Sequence, residues 1–261
     1  MSVSAESVPV EVTLRGHVGS HARDYARDKV AAALAGEQPG VLHAHVVLER
    51  RADPAVPRPH RAEVTADVRG AVLRAHAVAP SMGEAVDAME GRLRRQLVQL
   101  RDRTRTRHRW TAHRGKAGEH EWRHGDVPRE PEPCFPRPAE SREVVRRKTF
   151  AAEPMTVDEA AWEMDLLDHD FYLYTDLASG DPALVRRLPD GGYAVRGGAE
   201  QDTVAAVTRE PAPPTLTAAE ARSRMDADPE PFVFYLDRES GEGCVLYRRY
   251  DGHYGLIVAG S

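Results

Sequence analysis

Three constellations in this 261-residue chain have residue types and spacing that could do chemistry. The first is His120-Glu121-x-x-His124, the zinc-peptidase signature, in which a helix would set two imidazoles on one face for Zn²⁺ and leave the glutamate as general base. The second is a train of arginines, Arg92, Arg94, Arg95, Arg101, Arg103, Arg105, Arg107 and Arg109, preceded by Arg23, Arg27 and Lys29. Fixed positive charge of this kind neutralises phosphates. The third is aromatic: Tyr172, Tyr174, Tyr235, Tyr247 and Tyr254 have faces on which bases could stack.

The zinc signature fails on its surroundings. Gly118 and Gly125 bracket it, Pro128 follows, no apolar face would fix a helix to a core, and no third ligand is near. Twelve histidines also make a chance match easy. His43 and His45 alternate along a strand and read as structural or solvent-facing. Cys134 and Cys244 are far apart, so they form neither a disulfide framework nor a metal quartet. No glycine-rich phosphate loop or Ser/His/Asp set is present. The expectation is a chain that is not an enzyme, with no metal, no cofactor and no small-molecule substrate.

The arginines stand on firmer ground. The formal charge of −5 hides a split: residues 1–114 hold 19 Lys/Arg against 13 Asp/Glu, and residues 115–261 hold 17 against 28. Only the first part suits a polyanion, and a charge split between halves points to nucleic-acid contact. A solvated helix face interleaves both signs, yet after Leu100 Asp102 alone opposes Arg101, Arg103, Arg105, Arg107 and Arg109. Around Arg23, Arg27 and Lys29 the neighbours Asp24 and Asp28 offer partners within the helix.

These residues need a scaffold, and the pattern supplies one over residues 8–110. Val10 to Leu14 alternates as a strand; Ser20 to Leu34 sets Ala22, Tyr25, Ala26, Val30, Ala33 and Leu34 on a helical face. Val41 to Glu49, Arg61 to Val68 and Ala71 to Val78 read as strands. Pro80 and the capping box Ser81-x-x-Glu84 start a helix with the stripe Met82, Val86, Met89, Leu93, Leu97 and Leu100. The predicted order is β-α-β-β-β-α, with the arginines on a helix that overshoots so small a domain.

Farther on, the chain repeats itself. Pro154 to Val195 matches Thr215 to Leu256 at a constant offset of 61 without a gap, and about a third of the positions are identical. Each copy opens on a capping box (Thr156-x-x-Glu159, Thr217-x-x-Glu220), continues into a short helix, and reaches three strands joined at Ser-Gly and Asp-Gly turns. One helix and three strands are marginal alone, so each copy needs a partner. The fold class is α+β, an N-terminal domain followed by two small tandem α+β repeat domains. The expected boundaries are 8–110, a flexible linker 111–142, a first repeat 143–198, a linker 199–213 and a second repeat 214–261. The two copies are expected to pair within the chain through Phe171, Leu173, Tyr174, Phe232, Phe234, Tyr235, Tyr247 and Tyr254, and core or interface duty outranks base stacking for the tyrosines. The apolar fraction of 41% contains no run long enough for a membrane span, and nothing reads as a signal peptide, so a soluble, cytoplasmic protein is expected.

The stretch Ala62-Glu-Val-Thr-Ala through Gly70-Ala-Val-Leu-Arg-Ala75, leading to Arg92-x-Arg-Arg-Gln-Leu97, resembles the long-form ribosome hibernation promoting factors. So do Lys148-x-Phe150 with Pro154-Met-Thr-Val-x-Glu-Ala160, Met164-x-Leu-Leu-x-His169-Asp-Phe171, and Val245-Leu-Tyr-Arg-Arg-Tyr-Asp-Gly-His-Tyr-Gly-Leu-Ile257. The resemblance implies an N-terminal domain similar to a double-stranded-RNA-binding fold. It further implies that this domain sits in the mRNA/tRNA channel of the small subunit, against 16S rRNA and ribosomal proteins, and inactivates translation under stress. Family members with one C-terminal domain use it to join two ribosomes. Two copies match a variant similar to the ribosome-associated factor made under hypoxia. With about seventeen residues between the copies, pairing within the chain should outcompete a second chain, so stabilised 70S monosomes are expected. The alternatives are a ribosome-dimerising factor, or a general RNA-binding adaptor with tandem protein-interaction repeats.

Overall fold

The computed structural model describes residues 8–38, 40–52, 57–110, 135–188, 191–200, 203, 207–227 and 230–260. The chain divides into two compact units, each described by itself. His120, Glu121, His124 and Cys134 lie outside the described residues, as does most of the expected first linker.

In the N-terminal unit, strand β1 (Val10–Arg15) leads into helix α1 (Ser20–Leu34), and strands β2 (Val41–Arg50), β3 (His60–Val68) and β4 (Ala71–Ala79) precede helix α2 (Met82–Trp110). The sheet order is β1-β2-β3-β4. β1 and β2 run parallel, as a strand returning through a helix must, and the other pairs are antiparallel. The β3–β4 turn is the two residues Arg69 and Gly70, with φ of 57° and 80°. Two consecutive left-handed residues are what a tight hairpin demands, and glycine supplies one of them without strain.

Alternation decides the core. Ala62, Val64, Ala66 and Val68 on β3, and Leu73, Ala75, Ala77 and Ala79 on β4, are buried on one face. Val30 and Leu34 of α1 and Val86, Met89, Leu93 and Leu97 of α2 complete that core. The many alanines let the helices approach the sheet closely. Past Leu100 the apolar stripe has ended, but α2 runs on to Trp110.

In the C-terminal unit each copy begins with a capping box closed in both directions. The Thr156 amide donates to Glu159 Oε2 (3.0 Å) and the Glu159 amide to Thr156 Oγ1 (3.3 Å). Thr217 and Glu220 do the same at 2.7 and 3.2 Å. Such a cap contributes about 1 kcal/mol. After β5 (Val144–Ala151), the first copy runs β6 (Pro154–Met155), α3 (Val157–Leu166), β7 (Phe171–Asp176), β8 (Pro182–Arg187) and β9 (Tyr193–Arg196). After β10 (Val207–Arg209), the second runs β11 (Thr215–Leu216), α4 (Ala218–Ala227), β12 (Phe232–Asp237), β13 (Gly243–Arg248) and β14 (Tyr254–Gly260).

Both sheets have five strands, where three per copy were expected. Their orders are β10-β9-β8-β7-β6 and β11-β12-β13-β14-β5. β10 lies parallel to β9, and β5 lies parallel to β14. Residues 207–209 of β10 match 146–148 of β5 at the same offset of 61. The two copies therefore exchange their leading strands: the one before the first copy completes the second sheet, and the one before the second copy completes the first.

This corrects two expectations. The stretch 199–213, expected to be a linker, holds β10, with the Glu210 amide donating to the Val195 carbonyl (2.8 Å). The end of the expected tether 111–142 is likewise built in: the Phe135 amide donates to the Tyr250 carbonyl (2.8 Å), and Ala139–Ser141 forms a 3₁₀ turn. Neither stretch is apolar enough to show a pattern. Their order comes from backbone groups meeting an open sheet edge, which side-chain periodicity does not record.

Candidate nucleic-acid interface and repeat seam

The predicted cations divide into those engaged within the fold and those presented to solvent. On α1, Arg23 and Arg27 are exposed, and Arg27 has Asp24 at 3.6 Å. Lys29 Nζ lies 2.8 Å from Asp87 Oδ1 on α2, and the Tyr25 hydroxyl donates to the same oxygen (2.7 Å). Asp87 raises the pKa of both Lys29 and Tyr25, and its own is lowered by Lys29 and then by Tyr25. Lys29 is thus a tie between the two helices, with a partner more than fifty positions away where the sequence had offered Asp24 and Asp28.

On α2, Arg94 pairs with Glu90 one turn back. Arg92 donates to the His76 carbonyl on β4. Arg101 pairs with Glu37, a buried carboxylate in the turn after α1 that also has Arg69 at 3.1 Å. Arg95 is exposed. Arg103, Arg105, Arg107 and Arg109 belong to α2, and their side chains lie outside the described residues. Arg92 and Arg101 therefore fix α2 to the sheet and to the end of α1, a role that sequence spacing did not indicate. Arg69 and Glu37 were missed altogether, since nothing local marks them as partners of Arg101.

At the seam between the copies, Phe171 and Phe232 meet with ring centroids 4.5 Å apart, and Tyr247 is 6.4 Å from Phe171. Leu173, Leu184, Phe234, Val245 and Ala259 form one buried cluster drawn from both copies. Gly243 belongs here for steric reasons: a Cβ on it would fall 2.5 Å from Cβ of Pro182, its own equivalent in the first copy. Tyr174, Tyr235 and Tyr254, expected at this seam, lie elsewhere. Tyr174 is in the core under α3, and Tyr235 and Tyr254 are in the core under α4. Strand side chains alternate, so Leu173 and Tyr174 cannot share a face. The Tyr254 hydroxyl instead donates to Asp226 (2.5 Å), which also accepts from Arg142 (2.5 Å).

Among the described residues there is no group of three or more His, Cys, Asp or Glu placed to hold a metal, and no helix long and apolar enough to cross a membrane. Burial pushes the Cys244 thiol up to about 11, the state of an inert core cysteine.

Residues 10–105 match the family described as Sigma 54 modulation protein / S30EA ribosomal protein. Residues 139–195 and 199–256 each match that family's C terminus. A ribosome hibernation promotion factor of Lactococcus lactis is 32% identical over 136 residues, covering 52% of this chain and 70% of that protein. The chain belongs to the ribosome hibernation promotion factor family. A dormancy associated translation inhibitor of Mycobacterium tuberculosis is 35% identical over 135 residues, covering 46% of this family member and 49% of that protein. The chain thus spans about half the length of the mycobacterial relative it matches. A solved ribosomal subunit interface protein from Coxiella burnetii aligns at 15% identity over 36% of this chain and 99% of that one, with a TM-score of 0.29.

Proposed function

We propose that this chain is a ribosome hibernation factor, a binding protein with no catalytic role. Its N-terminal unit occupies the mRNA/tRNA channel of the small subunit against 16S rRNA and ribosomal proteins, and so inactivates translation under stress. Such a role fits a cytoplasmic protein. The β-α-β-β-β-α order, with two helices on one face of the sheet, is similar to a double-stranded-RNA-binding fold. The observation that carries the reading is α2. Its 29 residues span roughly 44 Å at ~1.5 Å per residue, against roughly 30 Å for a nine-residue strand of its sheet. The excess length is the arginine-bearing part, past Leu100, where the apolar stripe of the sequence ends.

For the C-terminal unit the reading is a closed pair that leaves ribosomes as 70S monosomes. Exchange of leading strands within one chain fills the sheet edges that a second chain would otherwise complete. The link between copies is itself partly strand, which favours the intramolecular partner further than a loose tether would. Ribosomes mixed with excess protein and resolved on a sucrose gradient test both parts. Factor co-migrating with monosomes is expected. Absence from ribosomal fractions overturns the binding role, and a prominent ribosome-dimer peak that vanishes on deleting residues 199–261 overturns the monosome role.

A further inference from the structure

The duplicated unit is not symmetric in charge. The segment 135–150 carries Arg137, Arg142, Arg146, Arg147 and Lys148 against Glu140 and Glu143, a net of +3 (5 − 2). Sixty-one positions later, the segment 196–211 carries Arg196 and Arg209 against Glu200, Asp202 and Glu210, a net of −1 (2 − 3). The strands differ as well. β10 is three residues long, whereas β5 is eight, is exposed from Val144 to Thr149, and ends its sheet with no strand beyond it among the described residues.

Two aromatic rings adjoin this strand. Phe135 is 40% exposed and Tyr250 is 41% exposed, on backbones joined by the Phe135-to-Tyr250 hydrogen bond. A guanidinium stands over each ring, Arg137 at 5.9 Å from the Phe135 centroid and Arg249 at 5.7 Å from that of Tyr250. In the first copy the positions of Arg249 and Tyr250 hold Leu188 and Pro189. Charged residues on an edge strand do guard against pairing with other strands. That duty explains neither the exposed rings nor their restriction to one copy. An acidic peptide added to the β5 edge would use the cations and leave the rings idle. Unpaired bases stack on aromatic faces while their phosphates follow a cationic track, and this uses both.

We infer that the flank of the second copy, residues 135–150 with Tyr250, is a second RNA-binding surface, for single-stranded RNA, separate from the arginines of α2. The inference rests on the ribosome-binding reading only for the source of that RNA. It is tested by photocrosslinking the full chain to a 4-thiouridine-containing oligouridylate and mapping the crosslinked peptides. Crosslinks are expected at Phe135 or Tyr250. Replacing Arg146, Arg147 and Lys148 together with Gln should lower their yield roughly fivefold or more and leave crosslinks on α2 unchanged, because three fewer counterions are released. An unchanged melting curve confirms that this variant is folded, and Tyr250→Phe, which keeps the ring, should retain the crosslink. Crosslinks confined to residues 8–110, or a flank that on ribosomes contacts only protein, overturn the second surface. Flank crosslinks in a protein that fails to co-sediment with ribosomes would uphold it and sink the hibernation reading instead.

Discussion

Phe171 and Phe232 occupy the same position in the two copies, 61 residues apart, and their rings touch each other at 4.5 Å. Equivalent residues meet only on a two-fold axis, the contact that the proposed isologous pairing of the copies within one chain requires. Pro182 and Gly243 are a second such pair, and there the halves have diverged so that one gives room to the other. A fixed pseudo-dimer permits this, because its two sides need not stay identical.

The ring pair should be energetically coupled. In a double-mutant cycle of Phe171→Ala and Phe232→Ala, urea unfolding is expected to give a coupling of about 1 kcal/mol. Gly243→Val should disrupt the same seam by forcing Pro182 away. Additive single effects would place the rings apart in solution.

Strand exchange makes a prediction that runs against chain order. Deleting residues 135–151, which precede the first copy, should expose the second: β14 amides facing β5 should exchange at least about tenfold faster, while β7 to β9 keep their protection. Hydrogen exchange read by mass spectrometry separates this from the opposite pattern, which would mean that β5 belongs to its own copy.

Arginines of the N-terminal unit should split into two classes. Removing Arg101 leaves the buried Glu37 carboxylate with Arg69, and since both arginines are about half exposed, a loss of roughly 1–2 kcal/mol is expected, below that for a fully buried pair. Arg92→Ala should also lower the melting temperature, because the His76 carbonyl loses its donor. Arg23→Ala should leave melting unchanged and flatten the salt dependence of ribosome binding, by roughly 0.7–0.9 in the log–log slope for each phosphate no longer neutralised. Thermal melts beside a salt series of co-sedimentation distinguish the classes.

Acid should loosen the second copy through Asp226. Burial would raise its pKa, but the Tyr254 hydroxyl and the Arg142 guanidinium overcome that and hold it below its ordinary value. A lowered folded pKa gives stability that is fully present above the unfolded value of roughly 4 and is lost as pH falls through the folded value. Asp226→Asn should therefore be less stable than the parent at pH 7, with the gap closing below about pH 4. Chemical denaturation at several pH values measures it, and a gap constant with pH would remove Asp226 as the titrating group.

By itself the sequence determined what local rules govern. The capping boxes at Thr156 and Thr217, the Arg69-Gly70 hairpin, the alternation along β3 and β4 and the stripe of α2 up to Leu100 follow from spacing and backbone preference, and the 61-residue offset reveals the duplication directly. Tertiary structure alone decided which strand joins which sheet, because β5 and β10 are recruited by backbone groups on an open edge, and those are the same for every residue type but proline. It also chose the partners of the cations, since Lys29 with Asp87 and Arg101 with Glu37 span 58 and 64 positions, beyond any helical or strand period. Tyr174, Tyr235 and Tyr254 were misjudged for a related reason: strand periodicity separates Leu173 from Tyr174, and only the packed sheets show which of the two faces meets a helix and which meets the other copy.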